Sequence, residues 1–257
     1  MTLIEASSAR EEATAIALIL RQAAADGRRA ALITPDRMLT RQVTAALDRW
    51  GIIPDDSAGR PLALSAPGRF LRHVAGLFGE RLTTETLLAL LKHPLTATGA
   101  GDRGTHLLNT RELELELRRN GPPFPDAHDL RRWAAEKPDA RGDWAAWLSD
   151  TLAGLDQIGT QDLAAHVATH LRVAEALARG PEGTDSGELW KEAAGEKAEL
   201  EVRALEREAA HGGAMPPAEY AALFQAILNR AEVRDPVQAH PGIMIWGTLE
   251  ARVQGAH

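Results

Sequence analysis

Along the first sixty positions apolar residues fall into short stripes separated by polar turns, and thereafter into longer stripes of helical period. Residues 3–6 have the length and composition of a strand. Ser8 and Glu11 follow at the spacing of a capping box. Ala13, Ile16, Ala17, Leu20 and Ala24 then recur at intervals of three and four, which predicts a helix with one apolar face, ending near Gly27. The compact run at 30–34 reads as a second strand, and Pro35 suits the first turn of the helix after it. Leu39, Val43, Leu47 and Trp50 make the buried face of that helix, with Gly51 at its end. Ile52 and Ile53 open a third short strand before the turn-rich stretch 54–61. Strands and helices alternating in this way predict a parallel sheet covered by helices.

From residue 65 onward the period is helical. Phe70, Leu71, Val74, Leu77 and Phe78 share one face, and a leucine-rich helix over 84–92 stops at Pro94. Leu113, Leu115 and Leu117 alternate with glutamates as a strand would, but leucine and glutamate are strong helix formers and the segment is read as helix. Further helices are expected over 127–136, 143–154, 160–179, 187–210 and 217–231, punctuated by glycine and proline. Ile243–Trp246 is then an unbroken apolar run that needs cover on both faces, and its partners are expected among the N-terminal strands. The chain is therefore read as an α/β layer, residues 1–64 and 236–257, interrupted by an all-helical insertion over 65–235. The last residues enter a turn and the start of another element, so the sequence is expected to be an interior piece of a longer chain.

Composition narrows the classes. The 257 residues, 44% of them hydrophobic, suffice for one large domain or two small ones. No apolar run approaches the ~20 residues that span a bilayer, and no secretory signal is recognisable, so a cytoplasmic protein without membrane partners is expected. With no cysteine in the sequence, disulfides, thiolate metal sites and iron–sulfur ligation are excluded within these residues. A formal charge of −7 argues against strong autonomous DNA binding but leaves room for a local basic groove. Gly-x-x-x-x-Gly-Lys-Ser/Thr does not occur, so a phosphate-binding loop of that kind is missing.

Asp162, His166 and His170 are spaced by four and would stack on one helical face, where two histidines and a carboxylate can hold zinc or iron. The glutamate of a His-Glu-x-x-His motif is missing, with Val167 in its place, and an exposed polar helix face is the preferred reading. The remaining histidines, His73 and His93 among them, are scattered and suggest nothing. Six tryptophans could stack on bases. Trp50, Trp133, Trp147 and Trp190 fall instead at core-facing spacings, and Trp246 ends a buried strand.

The order strand, helix, Ala-Leu-Ile-Thr-Pro-Asp-Arg37, a helix ending at Trp50-Gly51, then Asp55-Asp56-Ser57-Ala58-Gly59-Arg60-Pro61-Leu62 resembles the second motor domain of superfamily 1 helicases. In that family the chain leaves a RecA-like domain (2A) for a helical subdomain (2B) and returns. The returning segment 242–254 sits where those helicases carry motif V, of the type Thr-Val-His-Ser-Ala-Lys-Gly-Leu-Glu. Here it reads Gly247-Thr248-Leu249-Glu250-Ala251-Arg252. That replacement, with Leu87-Leu-Ala-Leu-Leu-Lys-His-Pro-Leu95, is similar to the AddB family, the B subunits of AddAB helicase–nucleases in double-strand break repair, most of all to the alphaproteobacterial type. The resemblance implies a RecA-like, 2A-like parallel sheet with a 2B-like insertion. It implies an AddA-like helicase–nuclease partner subunit and single-stranded or duplex-end DNA. ATP, Mg and an iron–sulfur cluster would be used by the parent protein outside these residues, with no cofactor inside them.

In the helicase family, loops beyond the carboxyl ends of the strands touch the nucleic-acid backbone through hydroxyl and cationic donors. This carries over to Arg37, Arg60, Thr248 and Arg252 as DNA-contact candidates. The competing reading ties Arg60 and Arg252 into ion pairs with Asp55, Asp56 or Glu250. Replacement of the Lys-Gly-Leu core of motif V points to an inactivated motor half, and these residues are expected to be non-catalytic by themselves. The functional expectation is a segment that guides single-stranded DNA and contacts the partner subunit during end processing and homologous recombination. Two alternatives stand beside it: a non-catalytic helical protein-interaction module, and a small stand-alone α/β hydrolase. The second is disfavoured because no nucleophile, base and anion-binding loop converge.

Overall fold

The structure, a computed structural model, describes residues 2–56, 59–233 and 239–253. Ser57, Ala58 and Gln254 of the motifs quoted above, and the expected segment boundary at 235–236, lie outside the described residues. The chain divides into two compact units, Met1–Gly59 with Asp235–His257, and Arg60–Arg234. The first opens with α1 (Ala9–Ala25), β1 (Ala30–Ile33), α2 (Arg37–Asp48) and β2 (Asp55–Asp56). The second begins with β3 (Arg60–Pro61), α3 (Ala66–Ala75), α4 (Thr84–Leu91), α5 (Gly104–Asn120), α6 (Ala127–Ala135) and α7 (Pro138–Leu152). It continues with β4 (Gln161–Asp162), α8 (Leu163–Arg179), α9 (Glu192–Glu208), β5 (Ala214–Met215), α10 (Pro217–Arg230) and β6 (Glu232–Val233). The first unit is completed by β7 (Ile243–Trp246) and α11 (Glu250–Val253).

In the first unit β7 lies between β1 and β2 and runs parallel to both. Ala30 stands opposite Ile243 and Ile33 opposite Trp246, while Asp55 and Asp56 face Met244 and Ile245. All four residues of β7 are buried, as an unbroken apolar run in a central strand requires. Ile33 on the neighbouring strand is half exposed. The Ser8 hydroxyl accepts from the Glu11 amide at 3.3 Å and starts α1. The apolar stripe of α1 (Ala13, Ala17, Leu20) shares a core with Val43 and Leu47 of α2 and with Ile243. At this level the α/β class, with a small parallel sheet in a mainly helical chain, is what the pattern predicted.

Three expectations need correction. Residues 3–6 form no strand, and Leu3 is 84% exposed; so short a run buries too little to offset the cost of ordering it. The third strand forms at Asp55–Asp56, just after the predicted Ile52 and Ile53. There Ile52 packs on the core, and the Ile53 carbonyl accepts from the His240 amide at 2.7 Å. Nor is the region 65–235 wholly helical, since β4 pairs antiparallel with β5 within it, and its last strand, β6, pairs with β3.

The helical unit is held by large side chains, with Phe70, Leu90, Leu91, Leu148, Tyr220 and Phe224 almost fully buried. In α5, Leu113 and Leu117 are buried while Leu115 is exposed, so the period is four and the segment is helix despite its alternating sequence. The β3–β6 ladder fastens the two ends of this unit, and the Leu62 amide continues it by donating to the Ala231 carbonyl at 2.8 Å. Close beside it α3 approaches the preceding turn so tightly that a Cβ at Gly68 would overlap the Leu62 carbonyl oxygen. Among the described residues no helix is long and apolar enough to cross a membrane.

Candidate nucleic-acid interface

The carboxyl ends of parallel strands are where α/β sheets leave a crevice, because the chain must rise out of the sheet there to enter its helices. In the first unit the loop after β1 and the loop after β7 border such a cleft, of about 240 Å³. The Thr34 amide extends the ladder by donating to the Trp246 carbonyl at 3.0 Å, which fixes the two loops side by side. Thr34 Oγ1 then accepts from the Asp36 amide at 3.0 Å. The Asp36 carboxylate caps α2 by accepting from the Met38 and Leu39 amides at 2.7 and 3.3 Å. The positive end of the α2 dipole is thereby held at the loop after β1.

Arg37 and Thr248 both line this cleft, together with Thr40, Asp56 and Gly247. Thr40 donates through its hydroxyl to the Asp36 carbonyl at 3.1 Å, which keeps its oxygen available as an acceptor only. After β7 the chain turns at once into α11, with the Ala251 amide donating to the Gly247 carbonyl at 3.1 Å. Arg252 sits on α11 with its side chain exposed. Arg60 belongs to the helical unit, in β3 opposite Val233, and does not line the cleft. The cleft thus combines one guanidinium, threonine hydroxyls and a single carboxylate, Asp56. It offers donors suited to a phosphate oxygen and, among its lining residues, no histidine, lysine or cysteine to serve as base or nucleophile. Gly-x-x-x-x-Gly-Lys-Ser/Thr, the loop that would cradle ATP phosphates, does not occur in the sequence. Thr40 carries no signal in the sequence, and Asp56 stands there only as an ion-pair partner for Arg60 or Arg252. Thr40 lies one turn into α2, and Asp56 reaches the cleft only through the pairing of β2 with β7.

The histidines at 166 and 170 are core residues, not the exposed polar face expected of them. His170 Nε2–H donates to the Leu71 carbonyl at 2.9 Å, and Nδ1 accepts from the Tyr220 hydroxyl at 2.7 Å. His166 Nε2–H donates to the Met215 carbonyl at 2.9 Å while Nδ1 accepts from Gln161 at 3.2 Å. Both nitrogens of each ring are thus engaged, and Asp162, at the exposed start of α8, does not join them. Burial holds His170 neutral, its pKa pushed down to about 4. The tryptophans divide as well. Trp133 and Trp144 are buried edge to face at 5.7 Å, whereas Trp50 is only half buried and carries the guanidinium of Arg21 at 4.7 Å.

A larger cavity, about 350 Å³, lies in the helical unit between Leu77, Leu82, Leu130 and Leu155. The Arg81 guanidinium stacks at 4.2 Å on Phe124, which also lines it. Its wall mixes these apolar side chains with Glu80, Arg81, Asp126, Ser149 and Asp156, and its lining residues include no histidine, lysine or cysteine, so size alone does not make it the centre of chemistry. Models of protein families give no match to this chain, and neither do curated proteins.

Proposed function

We propose that the chain is an internal, helicase-like segment of a DNA-repair helicase–nuclease subunit of the AddB kind, acting in double-strand break end processing and homologous recombination in the cytoplasm. Its α/β unit is a 2A-like, RecA-like motor half without ATP coupling of its own, and its helical unit a 2B-like insertion. The segment guides single-stranded DNA and contacts an AddA-like subunit. The observation that carries this reading is the cleft at the carboxyl edge of the parallel sheet, where Arg37 and Thr248 converge from loops some two hundred residues apart in sequence. Arg252 supplies a further exposed cation one helical turn beyond, and the motif resemblance agrees with a backbone-contacting role for this loop.

Fluorescence anisotropy with a labelled oligothymidylate tests the reading. Arg37→Ala and Arg252→Ala should each weaken binding whatever the base sequence, and each should lower the salt slope by about 0.7, one counterion fewer per lost phosphate. Arg252→Ala with an unchanged slope and a lower melting temperature assigns that residue to a structural ion pair instead. A second reading, a helical module that binds only protein, is favoured by the cavity beside Phe124, which a partner's side chain could enter. It predicts no oligonucleotide binding at any salt concentration.

A further inference from the structure

The fold gathers five basic or titratable side chains that the sequence leaves scattered. Arg69, Arg72 and His73 lie on α3, with Arg69 and His73 four residues apart on one face. His93 and Arg103 come from the segment between α4 and α5. The rings of His73 and His93 are 6.3 Å apart, and His93 packs on Phe70 at 5.1 Å. Arg103 pins the segment, donating from Nε to the Thr96 carbonyl and from Nη2 to the His93 carbonyl, each at 2.9 Å.

Two independent features set this cluster apart. The first is its charge. The groups that face His93 are His73, Arg69 and Arg103, and those that face His73 are Arg72 and Arg69. Among the described residues, none of the five pairs with a carboxylate. Asp102, next in sequence to Arg103, spends its carboxylate on the Gly104 amide at 2.8 Å. In a chain with more acidic than basic residues, cations are held together here with no carboxylate to balance them, an arrangement that favours an anion from outside.

The second feature is a pair of orphaned donors. His93 Nδ1 accepts from the Leu95 amide at 3.3 Å, so the ring proton is on Nε2, and that N–H is buried without an acceptor. Arg72 Nε is likewise buried without an acceptor, although its Nη1 donates to the Ala63 carbonyl at 3.3 Å. Buried donors are ordinarily paired, and each of these lacks the acceptor that an oxyanion can provide. Burial holds His93 neutral, its pKa pushed down to about 4, while partial desolvation and the cations of Arg72 and Arg69 lower the pKa of the more exposed His73.

We propose that Arg69, Arg72, His73, His93 and Arg103 form an oxyanion site that holds a phosphate of the bound nucleic-acid strand. The assignment to a strand rests on the nucleic-acid reading above; the anion site itself does not. Arg69 and His73 are exposed, so Arg69→Ala and His73→Ala test the site without disturbing the core. Each should weaken oligothymidylate binding about tenfold, and Arg69→Ala, which removes a permanent cation, should also reduce the salt slope by about 0.7. Titration of the unaltered chain with inorganic phosphate, followed by NMR of the histidine rings, should raise the apparent pKa of His73 and leave the core residue His170 unmoved. Phosphate-induced shifts with unchanged oligonucleotide affinity in both variants would overturn the proposal and leave a site for a free anion. Absence of any His73 shift would overturn the anion site outright. If the unaltered chain binds no oligonucleotide while the His73 shift persists, the nucleic-acid reading fails and the strand assignment falls with it, whereas weakening by Arg37→Ala but not by Arg69→Ala sinks this cluster alone.

Discussion

The α/β unit and the helical unit are both built on buried helix faces, but they fill them with different side chains. Between α1 and α2 the buried positions are largely alanine: Ala13, Ala17, Ala23 and Ala46, around Leu20, Val43 and Leu47. Alanine lets helices approach closely and removes little apolar area from water. The helical unit uses leucine, phenylalanine, tyrosine and tryptophan, and threads buried histidines between them with their ring nitrogens bonded to backbone and tyrosine. One unit therefore owes its definition mainly to the strand ladder and the other to packed volume and a buried polar network.

His170→Ala should be the sharpest probe of that difference. It opens a hole beside Phe224 and leaves the Tyr220 hydroxyl and the Leu71 carbonyl unpaired, at an expected cost of about 4 kcal/mol in urea unfolding. A loss under about 1 kcal/mol would mean that the polar network does not define the unit. Acid gives the next largest effect. The native pKa of His170 lies below its unfolded value near 6.5, so its neutral form stabilises the fold above pH 6.5, and that contribution, about 3 kcal/mol, disappears as pH falls from 6.5 to about 4. Hydrogen exchange resolved by unit should show this slope in the helical unit. In the α/β unit, which buries no histidine among its described residues, a similar slope would erase the contrast. Ile245→Ala, in the central strand and 2% exposed, should lose about 2–3 kcal/mol. Ile33→Thr on the neighbouring strand, 52% exposed, should stay within about 0.5 kcal/mol by thermal melting. Equal losses from the two would show that β1 is covered as fully as β7.

The same contrast explains what could be read beforehand. An apolar run such as Ile243–Trp246 declares a central strand by itself, because both faces demand cover, and the helical stripes at Leu39, Val43 and Leu47 declare a buried face. Residues 3–6 carry the same local signal, but one further strand needs an edge to pair with, and sequence does not reveal edges. His166 and His170 looked like a surface ladder because their spacing says only that they share a face. Which face is buried depends on Tyr220, fifty residues away. Of the four cleft candidates, Arg37 and Thr248 could be brought together because both follow strands of one predicted sheet. Arg60 comes after β2, but pairing in β3 against β6 places it in the other unit. His73 and His93 meet through the packing of α3 against the segment after α4, a contact that no periodic pattern encodes.

The position of β7 has a consequence for how the chain acquires its shape during synthesis. Its two partners, β1 and β2, leave the ribosome early, yet neither can pair until a strand made nearly two hundred residues later arrives between them. Until then, edges with unpaired amides are open to incorrect partners. The helical unit, complete once β6 has been made, can fold first as a unit of its own. By bringing Pro61 and Glu232 together, the β3–β6 ladder shortens the effective loop that β7 must close from well over a hundred residues to a few dozen. Because closure entropy grows only with the logarithm of loop length, the thermodynamic saving is modest, about 1.5–2 kcal/mol. The larger gain is in time, since a short search brings the last strand to its slot before the waiting edges aggregate.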